Sequence, residues 1–416
     1  MPNYQTKAAL CAVGLMGILG TWGRAIADGS MELQMQAVQS PIHILPGTQS
    51  ALRRTITGIR YPVDFALNLL IVFWFEALDG SHPAASAVSL YFLGQLFPCA
   101  LIVYLDSLRG NRPSLLKPTL WIVICQCCSI GVVGSFVALA YIVASPTVNP
   151  GLHIRALRHA SVITSPVFIW LLLPATILGY FLTALLMCLP SFPLMGSPPL
   201  VSSGFQQIAM AVWNMFPLVI WASIYLLRLL LKSITPTTPS RPADNKANNS
   251  SSTTHLRALR AITIPSLIIS SVFHLSILGT SLATVVFPVL FQPRYLEELR
   301  PSSLFLPPLS INPQSITPGD GLRSFLLWDQ AATYLLVIVV TVLELQTALA
   351  SAVDATGGRA TTAKTPYIIW LAVFGVSLVF GPGTACLAVS WTRDEVLFGG
   401  WSLSGNNVKR EVQKDQ

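Results

Sequence analysis

Long apolar runs separated by short polar connections dominate the chain, and the runs set the fold class. Eight of them, at about residues 61–79, 86–106, 119–145, 161–189, 207–231, 262–291, 325–350 and 366–391, reach the ~20 residues that carry a helix across a bilayer. Leu, Ile, Val, Ala and Phe fill them without the period-two alternation of membrane strands, so the pattern predicts an all-α transmembrane helix bundle. Pro166, Pro174, Pro217, Pro265 and Pro288 fall in or near these runs, where neighbouring helices can satisfy the carbonyls that a proline frees.

A further run, Ala8 to Trp22, follows Lys7 and precedes Arg24 and the small-residue sequence Ala25-Ile26-Ala27. It suits either a signal-peptide core or an uncleaved first helix, which gives eight or nine spans. The predicted organisation is a signal peptide or first helix over 1–27, a first part of the bundle over 28–232, a polar flexible loop over 233–260, a second part of the bundle over 261–392 and a polar C-terminal tail over 393–416. Overlapping glycosylation sequons at Asn248 and Asn249 matter only if that loop is lumenal.

Composition sharpens the class. The chain is 53% hydrophobic and 10% charged, where a soluble domain carries about 25% charged residues. Its net charge of +8 comes from Lys and Arg scattered over loops and helix ends, so no compact basic domain is present to hold nucleic acid. Cys125, Cys127 and Cys128 fall inside an apolar run and read as small packing residues rather than as a disulfide or zinc framework.

The candidate chemistry lies in scarce acids. Glu76 and Asp79 close one run, Asp106 closes the next, and Asp329 and Glu344 lie within the run 325–350. A carboxylate at bilayer depth is costly and faces the bundle interior, which makes each a functional candidate. If every run crosses the membrane, Glu76 and Asp79 sit at one end of the bundle and Asp106 at the other. The run 325–350 then enters from the Asp106 end, which places Asp329 near Asp106 and Glu344 near Glu76 and Asp79. Fifteen residues separate Asp329 from Glu344, roughly 22 Å of helix, so two acidic clusters are expected rather than one.

A carboxyl group in an apolar pocket stays protonated near neutrality and can act as a general acid. Trp74 and Phe75 lie by Glu76, Tyr91 and Phe92 across the next turn, Tyr104 by Asp106 and Trp328 by Asp329, and aromatic faces stabilise a developing cation. The plainer account is that terminal acids cap helices in headgroup water. His153, Arg155, Arg158 and His159 form a basic cluster that suits a phosphate or, more simply, snorkelling interfacial cations. His274, inside a run, suits hydrogen-bonded structure or a proton relay.

No P-loop, HExxH, GxSxG or EF-hand pattern occurs. The aspartate-rich motifs that hold magnesium against a diphosphate are also missing, so an enzyme acting on an isoprenoid is expected to begin by protonation.

Four stretches carry a resemblance. FEALDGSHPAASAVSLYFLGQ (75–95), LDSLRGNR (105–112), LLLPATILGYFLTALLM (171–187) and QQIAMAVWNMFPL (206–218) resemble fungal integral-membrane terpene cyclase-like proteins of meroterpenoid and indole-diterpene clusters. The resemblance implies a membrane-bound cyclase that protonates an epoxide or olefin of a lipophilic prenylated intermediate, without metal or organic cofactor. It carries Glu76, Asp79, His82 and Asp106 as motif residues without saying which donates the proton. It also implies an endoplasmic reticulum location among membrane lipids, with a prenyltransferase and an epoxidase acting upstream. A transporter for the pathway product and a non-catalytic membrane scaffold are the alternatives left open.

Overall fold

The structure, a computed structural model, describes residues 4–110, 113–191, 197–234, 247–310, 316–355 and 365–399. Among them regular structure is helical, and the strand-like contacts are isolated bridges pairing Ile44 with Ala51 and Arg109 with Ile163. In chain order the principal helices are α1 (Tyr4–Ala27), α2 (Ser30–Gln39), α3 (Phe65–Leu78), α4 (Pro83–Ser107), α5 (Leu116–Cys128), α6 (Ile130–Ala144) and α7 (Ile154–Ser161). They continue as α8 (Pro166–Met187), α9 (Ser203–Asn214), α10 (Phe216–Ile234), α11 (Ala247–Val286), α12 (Pro318–Ala355), α13 (Thr365–Phe380) and α14 (Pro382–Phe398).

Among the described residues six helices are long and apolar enough to cross a membrane, or seven if α9 and α10, bent by 76° at Met215, count as one. The expected eight or nine spans are reduced because two of the apolar runs are hairpins. In the run 119–145 the helix breaks at Ser129, whose φ of 79° lies in the left-handed region. The start of α5 lies at the Asp106 end of the bundle, where Thr119 hydrogen-bonds Tyr104 of α4 at 3.2 Å. The end of α6 lies there too: Tyr141 and then Thr147 donate to Glu344, which is ion-paired to the Arg393 that also holds Asp106. The turn between them sits at the depth of Asp329. In the run 366–391 the helix breaks at Gly381, and α13 packs back alongside α14. Gly381 has φ 98° and lies against Gln95, so a Cβ there would strike the side-chain amide.

The first hairpin reverses the direction expected of α12. α12 does not enter from the Asp106 end. Its first turn, at Gly319, lies against His82 at the Glu76 end, and it runs towards Asp106. Glu344 is therefore at the Asp106 end, and Asp329 is not beside Asp106. Both depth assignments made from the run count are corrected, for the one reason that residues 119–145 turn back instead of crossing. Two boundaries move as well. α11 begins at Ala247, inside the expected loop, and α14 extends through Phe398, so the first residues of the expected tail are helix. The rest of that tail, from residue 400, lies outside the described residues.

The N-terminal run is a helix of the bundle, packed on α6 and α12. Gly17 and Gly20 make this possible: a Cβ at Gly17 would meet the Gly131 carbonyl at 2.7 Å, and one at Gly20 would meet the Trp328 ring. Small residues let membrane helices approach this closely.

A buried ionic network ties α4, α12 and α14 together. Arg393 of α14 pairs with Glu344, with Asp106 at 3.1 Å and with Asp394 at 3.3 Å. Arg109, just past α4, pairs with Asp106 at 2.7 Å and Asp394 at 2.8 Å and donates to the Ser161 carbonyl at 2.7 Å. Tyr141 donates to Glu344 at 2.5 Å and Thr147 does so at 2.7 Å. Removing one partner of such a set strands the others without counter-charge, at about 3–5 kcal/mol.

Two outcomes test this architecture. Single cysteines replacing Lys117 and Arg155 in an otherwise cysteine-free chain should both react with an impermeant maleimide from the same side of sealed microsomes; reaction from opposite sides would mean that 119–145 crosses. Arg393→Ala should lose most folded protein in detergent size-exclusion and thermal-melt measurements. Tyr141→Phe, which removes the hydrogen bond to Glu344 and the contact with Thr147 Oγ1, should lower stability by only about 2 kcal/mol.

Candidate functional site

The five acids singled out from the sequence occupy three different settings. Asp106 and Glu344 belong to the network just described. Beside it lies a cavity of about 490 Å³ whose walls include Asp106, Arg109, Tyr141, Thr147 and His159. Both carboxylates there are ion-paired to arginines, within a set of three carboxylates and two guanidinium groups.

Asp329 stands alone in mid-bundle, 4% exposed. Its Oδ1 accepts from Ser129 Oγ at 2.8 Å and from the Gly131 N–H at 2.7 Å. Gly131 N–H is one of the free donors at the start of α6, and a helix N-terminus favours a carboxylate. The same two bonds fix the strained Ser129 turn. Asp329 also lines a cavity of about 130 Å³ between α1, α2, α3, α5 and α12, whose walls include Trp22, Phe73, Trp74, Phe92 and Phe325. These rings form a continuous lattice. Trp22 meets Phe325 edge-on at 5.4 Å, Phe325 meets Phe73 at 5.5 Å, and Phe73 meets Trp74 at 5.5 Å. The indole N–H groups are engaged elsewhere: Trp22 donates to the Cys128 carbonyl at 2.9 Å and Trp74 to Asn214 at 3.2 Å. The cavity is thus mainly aromatic and apolar, with one carboxyl group in its wall.

Glu76 and Asp79 lie where α3 turns into α4. Asp79 accepts from the backbone and side chain of Ser81 at 2.8 and 2.7 Å, and Ser81 Oγ is 2.7 Å from His82 Nδ1. Glu76 is 7% exposed and receives no hydrogen bond among the described residues; His82 Nδ1, at 3.6 Å, is its ionic neighbour. Glu76 and Asp79 do not line the aromatic cavity, although Trp74, two residues earlier, does.

Other sequence candidates have ordinary places. His274 contacts Tyr91 Oη through Nδ1 and the Leu378 carbonyl through Nε2, each at 3.1 Å, so both ring nitrogens are used. On α7 Ile154 and Leu157 are buried while Arg155, Arg158 and His159 point outward, the arrangement of an interfacial helix. Three cysteines, Cys125, Cys127 and Cys128, are free at the tip of the α5–α6 hairpin.

Sequence reasoning missed Arg393, Asp394 and Ser129. The first two lie just past an apolar run and read as flanking charge; their signal was that TRDEV continues the helix with apolar residues on both sides. No local signal marked Ser129, because its role depends on a turn that composition does not announce.

A family model described as the CtvD domain matches residues 6–398. Among curated proteins, the terpene cyclase ctvD of Aspergillus terreus (strain NIH 2624 / FGSC A1156) is 30% identical over 226 residues, which is 54% of this chain and 60% of that protein. The chain thus spans about 60% of the curated relative that it matches. No solved structure matches. With nearly the whole described bundle inside the match, the chain belongs to the CtvD domain family.

Proposed function

We propose that this chain is a membrane-embedded terpene cyclase of fungal secondary metabolism, which closes rings on a lipophilic prenylated intermediate inside the Asp329 cavity. The observation that carries the reading is the pairing of one positioned carboxyl group with a continuous aromatic wall. The activity named for the A. terreus relative points the same way.

The hydrogen bonds from Ser129 and Gly131 end on Oδ1, and Oδ2 is the oxygen we assign to carry and transfer the proton. Protonation of an epoxide or terminal olefin generates an electron-deficient carbon. A chain double bond attacks it, and the charge moves along the folded chain. The faces of Trp22, Phe73, Trp74 and Phe325 stabilise that charge through their quadrupoles and keep water from quenching it. Loss of a proton to water or back to the Asp329 carboxylate ends the sequence, so the product is an isomer of the substrate. At about 130 Å³ the cavity is smaller than the ~300–1,000 Å³ of ordinary ligand pockets. Substrate entry therefore requires the walls to part, and the short helix α2, which follows Gly29 at φ 85°, forms one of them. Such a substrate calls for prenyl transfer and epoxidation upstream.

The test is incubation of microsomes bearing the chain with prenylated aromatics and their terminal epoxides, followed by a search for isomers of unchanged mass. Asp329→Asn should lower turnover about 10²–10⁴-fold, and Ser129→Ala about 10-fold, the effect of one lost hydrogen bond to a charged group. Full isomer formation by Asp329→Asn would sink the reading, and substrate transport without any isomer would replace it with the transporter alternative.

A further inference from the structure

The turn joining α3 to α4 presents a second, independent piece of chemistry. One ligand atom each from Glu76, Asp79 and His82 lies within 4.8 Å of the others. Glu76 closes α3, Asp79 follows it directly, and His82 precedes the first turn of α4, so a four-residue turn delivers all three side chains to one point.

The charge at this point is not balanced by the fold. The arginine at hand, Arg294, donates to the carbonyls of Gly80 and Ser81 at 2.8 and 3.0 Å, and its nearest carboxylate is Glu298 at 3.9 Å. Glu298 in turn accepts from the Ala84 N–H. Among the described residues Asp79 has only the donors of Ser81. Glu76, more than nine-tenths buried, has no hydrogen-bond donor among the described residues and faces another carboxylate and an imidazole. A buried carboxylate without donors is strongly disfavoured unless a cation or a proton compensates it. This differs from the Asp106 network, where arginines are in place, and from Asp329, where a serine and a backbone N–H are.

We propose that Glu76, Asp79 and His82 bind a divalent first-row transition ion of the zinc type. Two carboxylates with one imidazole is a donor set that such ions accept, and three protein ligands leave a coordination position for water or another oxygen ligand. Ligands about 2.1 Å from a tetrahedral ion stand about 3.4 Å apart, so the cluster closes by roughly 1 Å on binding. The group free to move is His82, whose side chain is 27% exposed and rests on Gly319 at the start of α12. A Cβ at Gly319 would lie inside the imidazole ring position, so Gly319→Ala displaces His82 while leaving all three ligands in the chain. This proposal does not rest on the Asp329 reading.

The test uses the full chain in detergent, stripped with EDTA, titrated with zinc chloride, passed through a desalting column and measured by elemental mass spectrometry. Wild type should retain about one equivalent of zinc. Glu76→Gln, His82→Asn and Gly319→Ala should each bind at least ten times more weakly, while Glu298→Gln should bind as wild type. Thermal melts supply the fold check: zinc should raise the melting temperature of wild type and of Glu298→Gln, and leave the other three unchanged. Equal zinc retention by wild type and Glu76→Gln would overturn the site, as would equal loss on Glu298→Gln. Absence of any zinc-dependent shift in wild type would assign the compensation of Glu76 to a proton instead.

Discussion

The bundle depends on how five charged side chains, Asp106, Arg109, Glu344, Arg393 and Asp394, are kept together out of water. Each ion here would be expensive alone, and their mutual attraction only partly offsets the desolvation. Such a set adds little net stability compared with apolar packing. It does make misregistered packings costly, since a slip of α12 or α14 by one turn would leave arginines or carboxylates unpaired in the interior. The network therefore acts on register. It fixes the height of α12 relative to α4, and with it the height of Asp329, about 22 Å further along the same helix.

That height matters because the α5–α6 hairpin has to meet it. Ser129 is the non-glycine residue that holds a positive φ among the described residues, a conformation that costs on the order of 1 kcal/mol. Asp329 offsets the cost by accepting from Ser129 Oγ and Gly131 N–H, and the hairpin in turn supplies Asp329 with donors that no other element provides. The approach is close: a Cβ on Gly131 would lie 3.2 Å from the Asp329 carboxylate and closer still to the Ala332 Cβ. Trp22 closes the arrangement from α1 through its bond to the Cys128 carbonyl. The turn, the acid and the aromatic wall are one construction.

The helical class and most helix positions were legible in the hydropathy pattern, because an apolar run of spanning length has few other structures open to it. The chain directions were not. Hydropathy reports length and polarity; residues 119–145 are as long and apolar as a crossing, and only the φ of Ser129 and the partners of Thr119 and Tyr141 show that both ends lie together. One such turn inverted the expected pairing of Glu344 and Asp329. The importance of the acids was visible, since charge in a bilayer-length run is rare. Their roles were not, because a role is set by which donors stand within 3 Å, and those donors come from residues as distant as 198 and 200 positions along the chain.

The three acidic settings then divide by what surrounds them rather than by residue type. Where guanidinium groups pair with the carboxylates, as at Asp106 and Glu344, proton transfer would break the ion pairs that hold the helices, which makes these groups poor acids and good anchors. Where one oxygen is pinned by neutral donors and the other is left over, as at Asp329, the carboxyl group can change protonation without disturbing its neighbours, because Ser129 and Gly131 donate to Oδ1 in either state. Where a carboxyl group has no donor among the described residues, as at Glu76, a cation or a proton has to supply the missing charge. A substitution to the neutral amide should therefore be read differently at each. At Asp106 it removes a counter-ion and stability follows; at Asp329 it keeps both hydrogen bonds and removes only the proton; at Glu76 it removes the charge that would attract the ion.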